Sequence, residues 1–447
     1  MDEPPIPTLT SDAPGPPPVA LRKAIRRRNA VALYVSSVLG SGILVLPGLT
    51  AHLAGPGSLL AWVLLAFASI PFALTFASLS ARRPESGGVY GFAKEAFGPR
   101  IAIITGWLFA LWVVTGAPAI ALIAASYLGY AFPLSHPETF VIGFVVVLAA
   151  FLVNYRGIVL SNKVQLSLIV SIVVLLILAV ALSLFRVRPE NFQPFLPYGL
   201  VPVGTASALI FWSFLGYENV SNVAEEFEDP KRDFRRAVYL SIVLVGALYF
   251  AVAFVTVGTR AYVAGGGVAP FAAIFGNVFG GYGAAATAVL AVFIVFGVGN
   301  AYTTGMSRVA YATARDGGFP RAMAHLDPRT QVPDLALLGL LGAAAVVFAC
   351  YYLFGIGLTT ALLVASGAAI TVYIIGSAAA VQIHHRAGRS GRTLMVLGAV
   401  SLGISVVVLP FIGWPIVIAG GVVLGGLVYT SLAWRRPGSV PPTRTEG

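Results

Sequence analysis

Charge is missing from long stretches of this chain. No Lys, Arg, Asp or Glu falls between Arg28 and Arg82. Similar gaps run from Arg100 to Glu138, Glu138 to Arg156, Lys163 to Arg186, Arg236 to Arg260, and from there to Arg308. A hydrocarbon core ~30 Å thick takes roughly 20 apolar residues per helical crossing. Gly55-Pro56-Gly57 divides the first gap, Phe354-Gly355 divides Asp334 to His384, and Gly413-Trp414-Pro415 divides Arg392 to Arg435, so each holds two crossings. With one more from Pro202 to Glu218, the spacing predicts twelve membrane helices. Composition agrees. The 447 residues are 58% hydrophobic and only 10% charged, against roughly 25% charged in soluble domains. The fold class expected is an all-α polytopic membrane protein.

The formal charge of +11 raises the question of a nucleic-acid partner, and its distribution argues against one. With the N-terminus inside, Arg186, Arg188 and Arg260 are the only basic residues on the outer side. The other 25 of the 28 Lys and Arg share the inner side. That asymmetry is the positive-inside rule, so both termini are expected in the cytoplasm and the protein in the cytoplasmic (inner) membrane.

Two crossings carry interruptions. Gly40-Ser41-Gly42 lies in the middle of the first. Glycine costs ~1 kcal/mol against alanine inside a helix, and lipid offers no water to freed backbone groups. Such a break is either a binding site lining a cavity or a small-residue contact that admits a neighbouring helix. The sixth crossing turns polar at Leu215-Gly216-Tyr217-Glu218-Asn219. Glu218 is the one acid placed within the hydrocarbon, where a carboxylate costs a few kcal/mol and usually faces a cavity. The alternative is a neutral or paired Glu bracing a helix contact. Breaks in crossings one and six suit a five-plus-five inverted repeat followed by two extra C-terminal helices.

The expected division is a disordered cytoplasmic tail over 1–28 with a basic juxtamembrane segment lying on anionic lipid headgroups. A first repeat follows over 29–185, a second over 200–385, two helices over 392–434 and a tail over 435–447. No cleavable signal peptide is expected.

At the first break, the helix starting near Ser41 would present free N–H groups and a positive dipole end to an anion. The half ending near Val38 would offer carbonyls to a cation, as would those near Phe211, Trp212 and Leu215. A zwitterionic amino acid carries both charges. Aromatic and aliphatic surroundings favour a neutral, apolar side chain.

These residues resemble the amino acid–polyamine–organocation superfamily over about Val31 to Trp434. The resemblance rests on Gly40-Ser41-Gly42-Ile43 with Leu46-Pro47-Gly48, on Pro84-Glu85-Ser86-Gly87-Gly88 through Gly98-Pro99, and on Phe214-Leu215-Gly216-Tyr217-Glu218 with Asp229-Pro230-Lys231-Arg232. It rests too on Ser307-Arg308 through Ala314-Arg315-Asp316-Gly317 to Pro320. Within the superfamily the chain is most similar to bacterial methionine and branched-chain amino acid exporters, through Phe211-Trp212 ahead of Gly216 and Gly116-Ala117-Pro118 in the third crossing. It departs at Arg235, where many relatives have Pro. It also has no Lys or Arg between Gln165 and Phe185, the place where some proton-coupled relatives keep a Lys.

The resemblance implies that N–H groups of Ser41, Gly42 and Ile43, beside Gly40, hold the substrate carboxylate. Carbonyls of Val38, Phe211, Trp212 and Leu215, beside Gly216, would hold its ammonium. Trp212 would act as a lid. Trp112, Gly116, Asn300 and Tyr302 would line the side-chain pocket, although aromatic and amide residues in bundles also serve simply as packing. Glu218 is the coupling candidate, with protons the candidate ion.

Other features carry little. His384 and His385 are adjacent and do not share a helical face, so no metal site is expected, nor any cofactor. Cys350 is the single cysteine. Asn219-Val220-Ser221 reads as a chance match, and Gly265-Gly266-Gly267 as an outer loop. No nucleophile with a base partner suggests an enzyme. The function expected is secondary active transport of neutral apolar amino acids (methionine, leucine, isoleucine, valine) by alternating access, with proton-coupled export as one form. The alternative is a proton-coupled importer or exchanger of cationic amino acids or polyamines. The other partners expected are membrane lipids, and the assembly a monomer or homodimer.

Overall fold

The computed structural model describes residues 39–82, 88–157, 162–216, 230–330 and 332–433. Val38, Glu218, both tails, and the segments 83–87 and 217–229 lie outside the described residues. Described secondary structure is helical throughout: α1 (Gly42–Ala54), α2 (Ser58–Arg82), α3 (Val89–Phe97), α4 (Pro99–Ala131), α5 (His136–Tyr155), α6 (Asn162–Leu184) and α7 (Val201–Phe211). After these come α8 (Pro230–Gly258), α9 (Pro270–Arg315), α10 (Asp334–Leu353), α11 (Leu358–Arg386), α12 (Arg392–Val408) and α13 (Ile416–Ala433).

Among the described residues, nine helical runs are long and apolar enough to cross a membrane, and two shorter apolar helices, Val201–Phe214 and Ile416–Leu432, accompany them. The uncharged run Gly42–Ser80 counts as one of the nine by length. Gly55 divides it: its φ of 61° and ψ of −147° suit a residue without Cβ, and a short 3-10 turn, Gly55–Gly57, starts α2 afresh. Likewise α9 is broken at Gly280 (φ 63°, ψ −154°).

Helix α4 is the central post, packed against α9 and α11 and flanked by α5, α10 and α13. In lipid, association rests on van der Waals contact and hydrogen bonds, and small residues let backbones approach. Gly106 on α4 does this, since a Cβ there would collide with Thr313 of α9. Hydroxyls on these helices are mostly returned to their own backbone, as Thr105 donates to Ile101 O and Thr256 to Val252 O. Bonding of this kind spares those donors an unmet hydrogen bond in hydrocarbon.

One end of the bundle is polar. Tyr90 and Lys94 of α3 both donate to Asp316 Oδ2 at 2.6 Å, just past α9. Burial, then the Asp316 carboxylate, pushes the Tyr90 phenol well above its ordinary range, so it stays a donor. Trp107 of α4 caps Gly318 O, and Tyr429 of α13 caps Gly317 O. Elsewhere α1 is clamped. The backbone of Gly267 packs directly on that of Gly48, where neither could carry a Cβ, and the buried Tyr127 of α4 donates to Leu44 O.

Candidate functional site

Helix α1 begins at the expected break. Leu39 and Gly40 are irregular, Ser41 is the N-cap residue (φ −64°, ψ −21°), and Gly42 opens the helix. A serine at this position ordinarily accepts a hydrogen bond from the first turn. Here its side chain makes no cap, and its Oγ is buried without a partner. Ser41 O accepts from Leu44 N–H at 3.1 Å. By helix geometry the first-turn N–H groups have no acceptor in the helix itself.

Helix α7 ends where the second break is expected. After Phe211 the chain tightens into a 3-10 turn over Trp212–Phe214, and Leu215 turns extended (φ −77°, ψ 155°). Gly216 follows with φ 120°, a conformation that favours glycine. The end of α7 therefore directs its last carbonyls toward the break, although Trp212 O already accepts from Leu215 N–H at 3.4 Å.

The two ends meet at Gly42. A Cβ there would lie 2.7 Å from Ser213 Oγ and 2.7 Å from Trp212 Cδ1. Ser213 Oγ, like Ser41 Oγ, is buried with no partner. The positive end of α1 thus faces the negative end of α7, with two unpartnered hydroxyls beside them. That arrangement can hold an anionic group and a cationic group a short distance apart.

Trp212 reaches from this point to α4: a Cβ on Gly116 would lie 2.9 Å from its Cη2. Beneath the indole lies a small cavity, with about 20 Å³ of space open to a water, walled by Trp112, Gly116, Ile120, Trp212, Gly299 and Tyr302 among others. Trp112 and Tyr302 tilt against each other at 5.9 Å. The structure thus brings Ser41, Gly42, Trp212, Gly116, Trp112 and Tyr302 together. Ile43 and Leu215 are buried next to them in sequence, and Gly40 is half-buried.

One expected residue is placed differently. Asn300 does not line the cavity. It turns toward α5, where Asn154 Nδ2 donates to its Oδ1 at 2.7 Å and to its carbonyl at 3.3 Å. Thr304 joins them by donating to Asn154 Oδ1 and to Asn300 O. The cavity wall at that level is Gly299, Tyr302 and Thr303, one helical face, and Asn300 lies a step of ~100° round it. Phe211 points its ring away, into an edge-on cluster with Phe72 and Tyr373 at 5.3 Å each, so only its backbone is available to the site.

Ser213, Ile120, Gly299 and Thr303 were not foreseen from sequence. Ile120 lies four residues beyond Gly116, and Gly299 three before Tyr302. Helical spacing alone could have pointed to both.

A family model described as Amino acid permease matches residues 25–434. The chain is 35% identical over 409 residues to the uncharacterized amino acid permease YecA of Bacillus subtilis, covering 92% of this chain and 96% of that one. It is 30% identical to the L-methionine/branched-chain amino acid exporter YjeH of Escherichia coli over 88% of this chain and 93% of the relative. It is 28% identical to the branched-chain amino acid permease BcaP of Bacillus subtilis over 79% and 81%.

Proposed function

The chain belongs to the amino acid permease family, within the amino acid–polyamine–organocation superfamily, and on that premise we propose that it moves neutral, apolar amino acids by alternating access. It is a multi-pass membrane transporter. The finer reading is that methionine, leucine, isoleucine or valine binds where α1 and α7 meet. N–H groups of Gly42 and Ile43, with the hydroxyls of Ser41 and Ser213, take the carboxylate. Carbonyls of Val38, Phe211, Trp212 and Leu215 take the ammonium. Trp212 covers the substrate, and Trp112, Gly116 and Tyr302 contact its side chain.

The observation that carries this reading is the pair of buried, unpartnered hydroxyls at opposed helix ends. An unmade buried hydrogen bond costs ~1–3 kcal/mol, and a zwitterion would satisfy both. The names of the relatives YjeH and BcaP point to the same substrate class. Export, as in YjeH, with protons as coupling ion and Glu218 as their carrier, is the working mechanism. A five-plus-five inverted repeat within twelve spans, with both termini in the cytoplasm, is the working topology.

The test is equilibrium binding of radiolabelled leucine to the purified chain, with competitors, followed by flux in proteoliposomes under imposed pH and sodium gradients. Methionine, leucine, isoleucine and valine should compete far better than lysine, arginine or glutamate. Arginine or a polyamine as best competitor would replace this reading with a cationic amino acid or polyamine carrier.

A further inference from the structure

Behind the cavity under Trp212 lies a second one. It has about 10 Å³ of space open to a water, between α4, α5 and α9, and Ala150, Phe151, Val147 and Val295 form its far wall. Ala117, Ile120, Gly299 and Thr303 belong to the walls of both cavities. We propose that the second cavity is a distal subsite of the amino acid site, which takes the terminal carbons of a long, unbranched apolar side chain. The inference rests on the reading of the first cavity as the side-chain pocket.

The partition between the cavities is thin for a definite reason. Gly299 has no side chain and Ala117 has one methyl. Thr303 is tied, since its Oγ1 donates to Gly299 O at 2.8 Å. Only Ile120, of the four shared residues, has a terminal carbon able to swing. Its χ1 is restricted in a helix, so Cδ1 is the moving part. A Cβ built on Gly299 would sit 3.3 Å from that Cδ1 and 4.0 Å from Ala150 Cβ. The missing Gly299 side chain therefore leaves a gap slightly narrower than a methyl group while Ile120 Cδ1 stays in place, aimed from the first cavity at Ala150.

The second cavity suits carbon rather than water. Apart from the tied Thr303 hydroxyl, the side chains lining it are apolar. Apolar cavities stay dry and accept apolar guests. Beyond Ala150 and Gly299 stands the Asn154–Asn300–Thr304 network, whose bonds, to one another and from Asn154 to Ala150 O, leave a firm end wall. Each cavity has room for about one water as it stands, so a side chain enters only by displacing Ile120 Cδ1. A short branched chain such as valine stops at Ile120 without reaching the second cavity. An unbranched chain reaches through.

Competition of alanine, α-aminobutyrate, norvaline, norleucine and α-aminoheptanoate against radiolabelled leucine on the full chain tests this. Affinity should climb about fourfold per methylene as far as norleucine. Ala150→Leu fills the distal cavity and should bring the norleucine-to-norvaline ratio down to about one. Ile120→Ala widens the passage and should move the optimum to α-aminoheptanoate. The two variants push in opposite directions, so poor folding of one leaves the other decisive. A series that stops rising at α-aminobutyrate, or ratios that neither variant alters, overturns the subsite while leaving leucine binding and the first cavity intact. Absence of leucine binding in the unaltered chain overturns the proposed function itself, and the subsite with it.

Discussion

Two places in the membrane-embedded core bury polar side chains, and they treat them in opposite ways. Where α5 crosses α9, Asn154 is 7% exposed and Asn300 4%, and with Thr304 they bond to one another and to nearby carbonyls. Where α1 meets α7, Ser41 and Ser213 are each 1% exposed and bond to nothing. The first arrangement is complete and braces two helices. The second leaves a cost of ~1–3 kcal/mol per group that something other than the protein can offset. Lack of a partner is not sufficient as a marker, because Ser58, Ser366, Ser377 and the Trp62 indole nitrogen share it. Ser41 and Ser213 differ in lying at two helix ends of opposite polarity.

The contrast can be broken most sharply at Gly42. Valine there would put branched carbons where Ser213 Oγ and Trp212 Cδ1 now lie, 2.7 Å from the Cβ position. Leucine binding should fall at least about a hundredfold, while the variant still elutes as a folded, monodisperse species. Unchanged binding would remove the site from α1.

Asn154→Ala probes the other member of the pair. It deletes the donor to Asn300 and the acceptor for Thr304. Stability should drop by about 1–2 kcal/mol, read as a lower Tm, with leucine Kd for the folded fraction within about twofold. A large loss of affinity at unaltered Tm would make the network part of the site.

Ser41→Ala with Ser213→Ala should do the reverse. Removing unpartnered hydroxyls should leave the Tm of the ligand-free protein level or slightly raised, while leucine binding weakens about tenfold. A drop in Tm without loss of affinity would show that these hydroxyls brace the fold.

Glu218→Gln sharpens the coupling role and carries the smallest expected change. The sequence puts this one acid within a membrane crossing, and a proton taken up or released there would link pH to transport. The variant should keep leucine binding and flatten the pH dependence of flux between about pH 5 and 8. An unaltered profile would make Glu218 a brace.

Much of this was legible in the sequence, for physical reasons. Charge-free runs mark membrane helices because lipid penalises charge, and Gly55, Gly355 and Gly413 divide helices where positive φ is needed. The α1 break was legible because Gly40-Ser41-Gly42 makes no sense as plain helix. The rotation of α9 was not. Its polar residues Asn300, Tyr302, Thr303 and Thr304 fall on different sides of one turn, so no single stripe reports which face turns inward, and it is Gly299 rather than Asn300 that walls the cavity. Ser213 was missed because a helical serine usually donates to the carbonyl a turn back, as Ser207 does to Val203 O. Only the tightening to a 3-10 turn leaves Ser213 without one.

The central claim is that the opposed ends of α1 and α7, and not the α5–α9 network, hold an amino acid. Its most direct test is the thermal stabilisation given by saturating leucine to three proteins: the unaltered chain, the Ser41→Ala/Ser213→Ala variant and Asn154→Ala. Leucine at about a hundred times its Kd should stabilise the unaltered chain by ~2.7 kcal/mol. The same concentration should raise the Tm of Asn154→Ala about as much, although from a lower start, and that of the double serine variant clearly less. Equal stabilisation of the double serine variant and the unaltered chain, with the effect lost in Asn154→Ala, would contradict the account.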